Sequence, residues 1–346
     1  MGVKFKPSIP NLKITPPSVF FGRRKFLASF GIGILATPSV FCGNNRTQAE
    51  QTQDSPLKNL LEPPLSRPDV FPVLANKKFK VPFSVIRKAL TPRAVAASHN
   101  NFYEFLPGTG GPVWRDTGDF EVDPWKVEVT GECHNPTTFD LDDLFSFEHE
   151  ERVYHFRCVE RWAMNVPWAG FPLKSLLKKV EPKNSATHVR FVSANRPDQM
   201  PGIRSASYYP WPYHEALRLD EAMNDLTLLV TGVYGEPLLK QHGAPIRLAV
   251  PWKYGYKNPK SIVKIELLTK EPSTFWQMQP HEYGFLSNVN PNIPHPRWSQ
   301  AHSYWLDTRE MFDTPLFNGY SDYVADLYPD EPRKLQRPLT KGNTAR

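Results

Sequence analysis

Three cysteines in 346 residues, at positions 42, 133 and 158, are too few for a disulfide framework. No CxxCH haem-attachment site, no cysteine set for an iron–sulfur cluster and no GxGxxG occurs. The chain therefore carries no electron-relay motif of its own and no dinucleotide fingerprint. Long apolar runs are also missing. The best candidate, Phe26–Ala36, falls well short of the roughly 20 residues a membrane-spanning helix needs. Acidic residues are absent before Glu50, where seven basic residues lie, and that segment accounts for the whole net charge of +7. The remainder balances at 35 basic and 35 acidic residues, so there is no basic footprint for nucleic acid. Internal repeats and low-complexity blocks are missing as well.

What is present begins with a leader. FGRRKFL, with Arg23 and Arg24 adjacent, precedes the short apolar run and Pro38. Residues 1–49 read as a twin-arginine signal peptide that is removed, which implies the twin-arginine translocase as a partner and the periplasm as destination. Cys42 is open to lipidation, although Phe41 makes a poor lipobox. Residues 50–80 read as an extended arm, 81–335 as one catalytic domain and 336–346 as a tail.

Thirty-six prolines predict long ordered loops. Helices are expected around Ser84–Ala97, interrupted at Pro92, in FDLDDLF with Asp140 as N-cap, over Phe171–Val180, and in RLDEAMN. Strands are expected over Pro124–Gly131, Glu151–Cys158, Ala186–Ser193, LTLLVTGVYG, Ala244–Val250 and Ile262–Thr269. The count predicts an α+β fold with a mixed sheet and long Pro-rich loops.

Cys158, at the end of a strand in YHFRCVERWAMNVPWAGFP, is the residue that asks for a role. Alternation puts Tyr154, Phe156 and Cys158 on one face, with His155 and Arg157 on the other. Four readings stand. It could be a packed structural thiol or a nucleophile, for which a paired His is needed and His155 faces away. It could be part of a zinc site drawn from Cys133, His134, His149, His155 and Cys158, which lack the usual spacing. Or it could be the one thiolate ligand of a redox metal whose other ligands come from a cofactor. A Cys133–Cys158 disulfide is open too.

RCVERWAMNVPWAGFPL resembles the corresponding segment of the protein-methionine-sulfoxide reductase catalytic subunits, which belong to the molybdopterin oxidoreductases related to sulfite oxidase. The blocks NNFYEF, TGVYG, GAPIRLAVPWKYGYK, PKSIV, EYGFLSNVNP, HPRWSQA and LFNGY continue the likeness in order, from about residue 60 to 330. The resemblance implies a sulfite-oxidase-type molybdopterin-binding domain over 81–335, with one molybdenum–molybdopterin per chain and Cys158 as both metal ligand and catalytic residue. It implies that the cofactor is held by Asn100, Tyr103, Glu104, Ser193, His242, Arg247, Asn258, Pro259 and Lys260. An arginine at 247 suits a phosphate group. Three positions depart from close relatives: Ser193 stands for Thr, His242 for Asn, which would make its contact pH-dependent, and Arg161 for a small residue, either at the pocket mouth or on the surface. Trp162 and Trp168 would wall the thioether or pack the core.

The implied activity is reduction of methionine sulfoxide in oxidised periplasmic proteins by oxygen-atom transfer. A membrane haem b subunit would supply electrons to a monomeric catalytic subunit. The alternatives are a sulfite oxidase-like enzyme, for which Arg157 and Arg161 keep an anion pocket open, and a non-enzymatic exported binding protein.

Overall fold

A computed structural model describes residues 55–76, 89–108 and 110–337 of the chain. The leader, Cys42, the first part of the helix expected from Ser84, and most of the tail lie outside those residues.

Two sheets carry the architecture. The first orders its strands β2-β1-β10-β5-β6, where β1 is Lys126–Gly131, β2 Thr137–Asp140, β5 His188–Ser193, β6 His214–Arg218 and β10 Ile262–Leu268. Only β1 and β10 run parallel; the other pairs are antiparallel. The second is built on β4, Trp162–Pro172, which pairs along its length with β3, Glu150–Arg157. On its other edge β4 meets β11, His302–Trp305, at one end and β7, Leu228–Val233, at the other. The short strands β8, Glu236–Pro237, and β9, Arg247–Ala249, pair with β7; β12, Met311–Asp313, pairs with β11. Helices are few and short, so the α+β class with mixed sheets is what the chain adopts.

β4 was not expected from sequence. WAMNVPWAGFP has no alternation because both its faces are covered: every residue but the last is buried. Its prolines also argue against a central strand. They are tolerated because Pro167 falls in the gap between the β11-paired and β7-paired stretches, where its missing N–H breaks no ladder. Pro172 also explains why the helix expected from Phe171 starts later, at Leu173. The residue before proline stays extended, and Phe171 pairs with Leu229. That helix, Leu173–Val180, buries Leu173, Leu176, Leu177 and Val180, the i, i+3, i+4, i+7 stripe. Asp140 caps the helix Leu141–Phe145 through a reciprocal capping box with Asp143. The RLDEAMN helix is present as Leu219–Ala222. β6, β11 and β12, like β2, escaped the sequence pattern.

Candidate active site

β3 stops at Arg157, and Cys158 opens the tight turn into β4. The Cys158 N–H donates to the Trp162 carbonyl at 3.0 Å, and the Arg161 N–H donates to the Cys158 carbonyl at 3.0 Å. Arg161 closes the turn at φ 79°, a left-handed conformation that costs a side-chain-bearing residue of order 1 kcal/mol. Its guanidinium bonds the His302 carbonyl on the surface side, away from the cavity. The strand alternation places Cys158 and Phe156 in one cavity, whereas Arg157 and His155 point elsewhere.

That cavity has a volume of about 200 Å³, and Cys158 forms part of its wall. Among the sequence-derived residues, Asn100, Tyr103, Glu104, Cys158, His242, Arg247 and Lys260 line it, as do Trp162 and Trp168. Ser193, Asn258 and Pro259 do not. The Ser193 hydroxyl is buried without a protein partner. Asn258 organises its own loop, accepting from the Val250 N–H at 2.5 Å and donating to the Tyr254 and Gly255 carbonyls. Pro259 offers its carbonyl to Leu248. Lining residues that sequence reasoning did not single out include Asn101, Glu160, Tyr213, Tyr256, Trp276, Tyr283 and Trp298. Asn101 was legible as the second asparagine of NNFYEF. Tyr283 and Trp298 arrive on irregular loops and Trp276 on the single 3-10 turn Phe275–Met278, too short to carry a periodic signal.

Two close approaches shape the wall. Gly202 lies against the backbone of Tyr103 and Glu104, where a Cβ would come within 2.2 Å of the Tyr103 carbonyl oxygen. Gly243, at φ 99°, leaves room for the stem of Lys260, which a Cβ would meet at 2.5 Å. Lys260 then donates to the Asn101 carbonyl at 2.7 Å.

The Cys158 sulfur is free and in contact with Asn101 Nδ2 at 3.5 Å and the Glu160 carboxylate at 3.8 Å. The same Glu160 oxygen accepts from Asn101 Nδ2 and Trp162 Nε1, both at 3.0 Å. Burial pushes the Cys158 thiol well up, and Glu160 adds to that. An empty site therefore holds a neutral thiol; a thiolate needs a metal to enforce it. Cys133 is likewise free and buried, so no disulfide forms. Among the described residues no three His, Cys, Asp or Glu side chains gather as a metal cage. The zinc reading therefore loses its ligands: His149 bonds Phe147 and Thr231, and His155 bonds Asn165.

The rest of the wall fits a large polar anionic group. Arg247 stands over the Trp168 ring at 4.9 Å and donates to the His242 carbonyl at 2.9 Å. Burial brings its guanidinium down to about 9 and the Lys260 ammonium to about 7, with Arg247 adding to the shift at Lys260. Glu104 is raised to about 7 by burial, partly offset by Lys260. His242 is held near 3 by burial and by Arg247, so its ring is neutral at ordinary pH rather than pH-sensitive. Its Nε2 meets the Ala96 carbonyl at 3.1 Å and must carry the proton, leaving Nδ1 as a buried acceptor without a protein partner. Asn100 Oδ1 and Asn101 Oδ1 are buried acceptors of the same kind. Orphaned acceptors and cations around one cavity are what a pterin edge and its phosphate require.

Comparison with known proteins agrees with this chemistry. The family described as "Oxidoreductase molybdopterin binding domain" matches residues 114–276. The protein-methionine-sulfoxide reductase catalytic subunit MsrP of Burkholderia mallei is 45% identical over 327 residues, covering 92% of this chain and 93% of that protein. Its counterpart in Xanthomonas campestris pv. campestris is 42% identical over 327 residues, 92% and 94% respectively. That of Gluconobacter oxydans is 50% identical over 246 residues, 69% of this chain and 78% of the relative. A solved structure, the sulfane dehydrogenase SoxCD from Paracoccus pantotrophus, aligns with 58% of this chain and 51% of its own at 17% identity. Its TM-score is 0.42, too partial a likeness to carry weight.

Proposed function

Because this chain belongs to the family of protein-methionine-sulfoxide reductase catalytic subunits, we propose that it reduces methionine sulfoxide in proteins, with one molybdopterin-bound molybdenum per chain held by Cys158. The observation that carries the assignment of the ligand is the free Cys158 sulfur in the wall of a cavity lined by buried cations and orphaned acceptors. When bound, that group supplies the exchange of an oxygen atom and two electrons with sulfur. The balance is a sulfoxide, two electrons and two protons giving a thioether and water.

The chain's own residues orient and enclose. Cys158 would anchor the metal from the turn, and Asn101 and Glu160 would fix the sulfur's surroundings. Arg247 and Lys260 would hold the phosphate, while Asn100, Asn101 and His242 turn acceptors to the pterin edge; Tyr103 and Glu104 complete that wall. Ser193, Asn258 and Pro259 would act by shaping the loops behind it. Tyr103, Trp276 and Tyr283 form an apolar wall on which thioether carbons can rest, since sulfur packs well against aromatic rings.

Sulfite oxidation is less well supported, because the two arginines that kept it open are committed elsewhere. Arg157 bonds Ser303 and Gln300, and Arg161 bonds His302. The reading extends to the periplasm as location, the twin-arginine translocase as route and a membrane haem b subunit as electron donor. Among the described residues no helix is long and apolar enough to cross a membrane.

Metal analysis of the wild type and of Cys158→Ser tests the proposal. Molybdenum should be near one per chain in the wild type, and reduced-dye turnover of methionine sulfoxide should vanish in the variant. A wild type without molybdenum would leave a binding protein as the reading; turnover of sulfite alone would reverse the direction.

A further inference from the structure

Arg157 is completely buried, yet no carboxylate lies within ion-pair distance of it among the described residues. Its three donor groups end on neutral oxygens: Nε on Ser303 Oγ at 2.7 Å, Nη2 on Gln300 Oε1 at 2.7 Å, and Nη1 on the Cys158 carbonyl. The Tyr254 ring lies 5.7 Å from the guanidinium carbon. Buried arginines are ordinarily paired with an anion, because burying a lone charge is expensive. Through space its charge is favoured first by Tyr254 and then by the Cys158 sulfur, the one of the two that the proposed metal would hold as an anion. Glu160 is turned the other way, toward Asn101 and Trp162.

The same network grips the turn. Gln300 takes the Arg157 bond on its oxygen and donates its Nε2 to the Val159 carbonyl at 2.9 Å; Trp298 Nε1 donates to that same carbonyl at 2.9 Å. The Cys158 carbonyl is therefore held by Arg157 itself, and the Val159 carbonyl by Gln300, which Arg157 holds in turn.

We propose that Arg157 is a positioning residue and the fixed counter-charge of the cofactor site: it holds the Cys158 turn, and its buried cation is balanced only when the metal-bound thiolate and its anionic cofactor are in place. This rests on the reading that Cys158 holds molybdopterin-bound molybdenum. Its neutral oxygen partners leave the buried guanidinium without a counter-charge, and an anionic cofactor held at Cys158 would supply one. The empty protein would then carry an uncompensated charge that loading relieves, and the loaded metal would sense a positive charge close behind its ligand.

The test compares full-length wild type, Arg157→Met and Arg157→Lys, each purified loaded and from cells unable to make molybdopterin. Molybdenum content, melting temperature in both states and the midpoint potential of the Mo(V) electron-paramagnetic-resonance signal are measured. Arg157→Met should narrow the gap in Tm between loaded and empty protein, with the empty form melting no lower than empty wild type. Its metal potential should fall, since losing a nearby cation favours the oxidised metal. Arg157→Lys should restore the potential and most of the gap. An arginine that only packs would lower both melting temperatures equally and leave the potential unchanged, and that result overturns the proposal. Should Arg157→Met take up no metal, the empty form decides: an unchanged Tm supports the proposal, a fall overturns it. Wild type lacking molybdenum would instead sink the functional reading.

Discussion

Lys253→Met should destabilise the protein far beyond the loss of one surface charge. Lys253 is fully buried, and its ammonium bonds Glu221 Oε1 at 2.7 Å, the Leu286 carbonyl at 2.6 Å and Asn288 Oδ1 at 2.9 Å. Removing it strands the Glu221 carboxylate, 1% exposed, with only the Tyr328 hydroxyl and the Arg218 N–H for company. Breaking a buried pair from one side costs about 3–5 kcal/mol. Against a net stability of about 5–15 kcal/mol, that is a large share. At about 2 °C per kcal/mol for a unit of this size, Tm should drop by about 6–10 °C. The assay is thermal melting at equal metal content, for Lys253→Met, Glu221→Gln and the double variant. Glu221→Gln keeps one acceptor oxygen, for the Arg218 N–H, and can donate its amide N–H to the Tyr328 oxygen while removing the stranded charge, so the double variant should recover part of the loss. A drop below 2 °C, or losses that simply add in the double variant, would refute the reasoning. The consequence reaches the site, because Lys253 ties the loop carrying Gly255 and Tyr256, both in the cavity wall, to the segment around Asn288.

Two further outcomes follow from the cavity. Glu104 is raised above its usual value by burial, so its protonated form is the one the fold favours; its contribution is whole below about pH 4.5 and declines as pH rises toward 7. Lys260 is depressed, so the fold favours its neutral form and stability recovers as pH climbs from about 7 toward 10.5. In the empty protein Glu104→Gln should abolish the decline between pH 4.5 and 7 in a Tm-against-pH profile; an unaltered profile would contradict the assignment. Gly243→Ala should displace Lys260, both through its left-handed φ and through the 2.5 Å approach to the lysine stem. Molybdenum content should fall several-fold with the fold retained by circular dichroism, and undiminished loading would count against Lys260 as a phosphate ligand.

The position of Cys158 was legible because a period of two needs only neighbouring residues, even though both faces of the strand before it are covered. The strand after it was not, since full burial on both faces erases alternation and Pro167 mimics a breaker. Asn100, Glu104, Arg247 and Lys260 came from family likeness rather than pattern, and the cavity gathers them with Cys158. Ser193, Asn258 and Pro259 came the same way and sit behind the wall. Trp298 and Gln300 were invisible in their role because it depends on a carbonyl about 140 residues earlier in the chain. His242 illustrates the remaining gap: its residue type suggested a pH-dependent contact, and only burial beside Arg247 showed a ring locked neutral.

β10 is the middle strand of its sheet, with β1 on one flank and β5 on the other, yet it is the last of the five to be made. A ribosome delivering this polypeptide must release two finished hairpins, β2-β1 and β5-β6, whose inner edges stay bare until Ile262–Leu268 emerges and slots between them. Such waiting edges invite mispairing with other nascent chains, and long-range closure of this kind is slow. Production of this protein should therefore respond to holding chaperones and to slower translation around residue 260 more than its final stability would suggest.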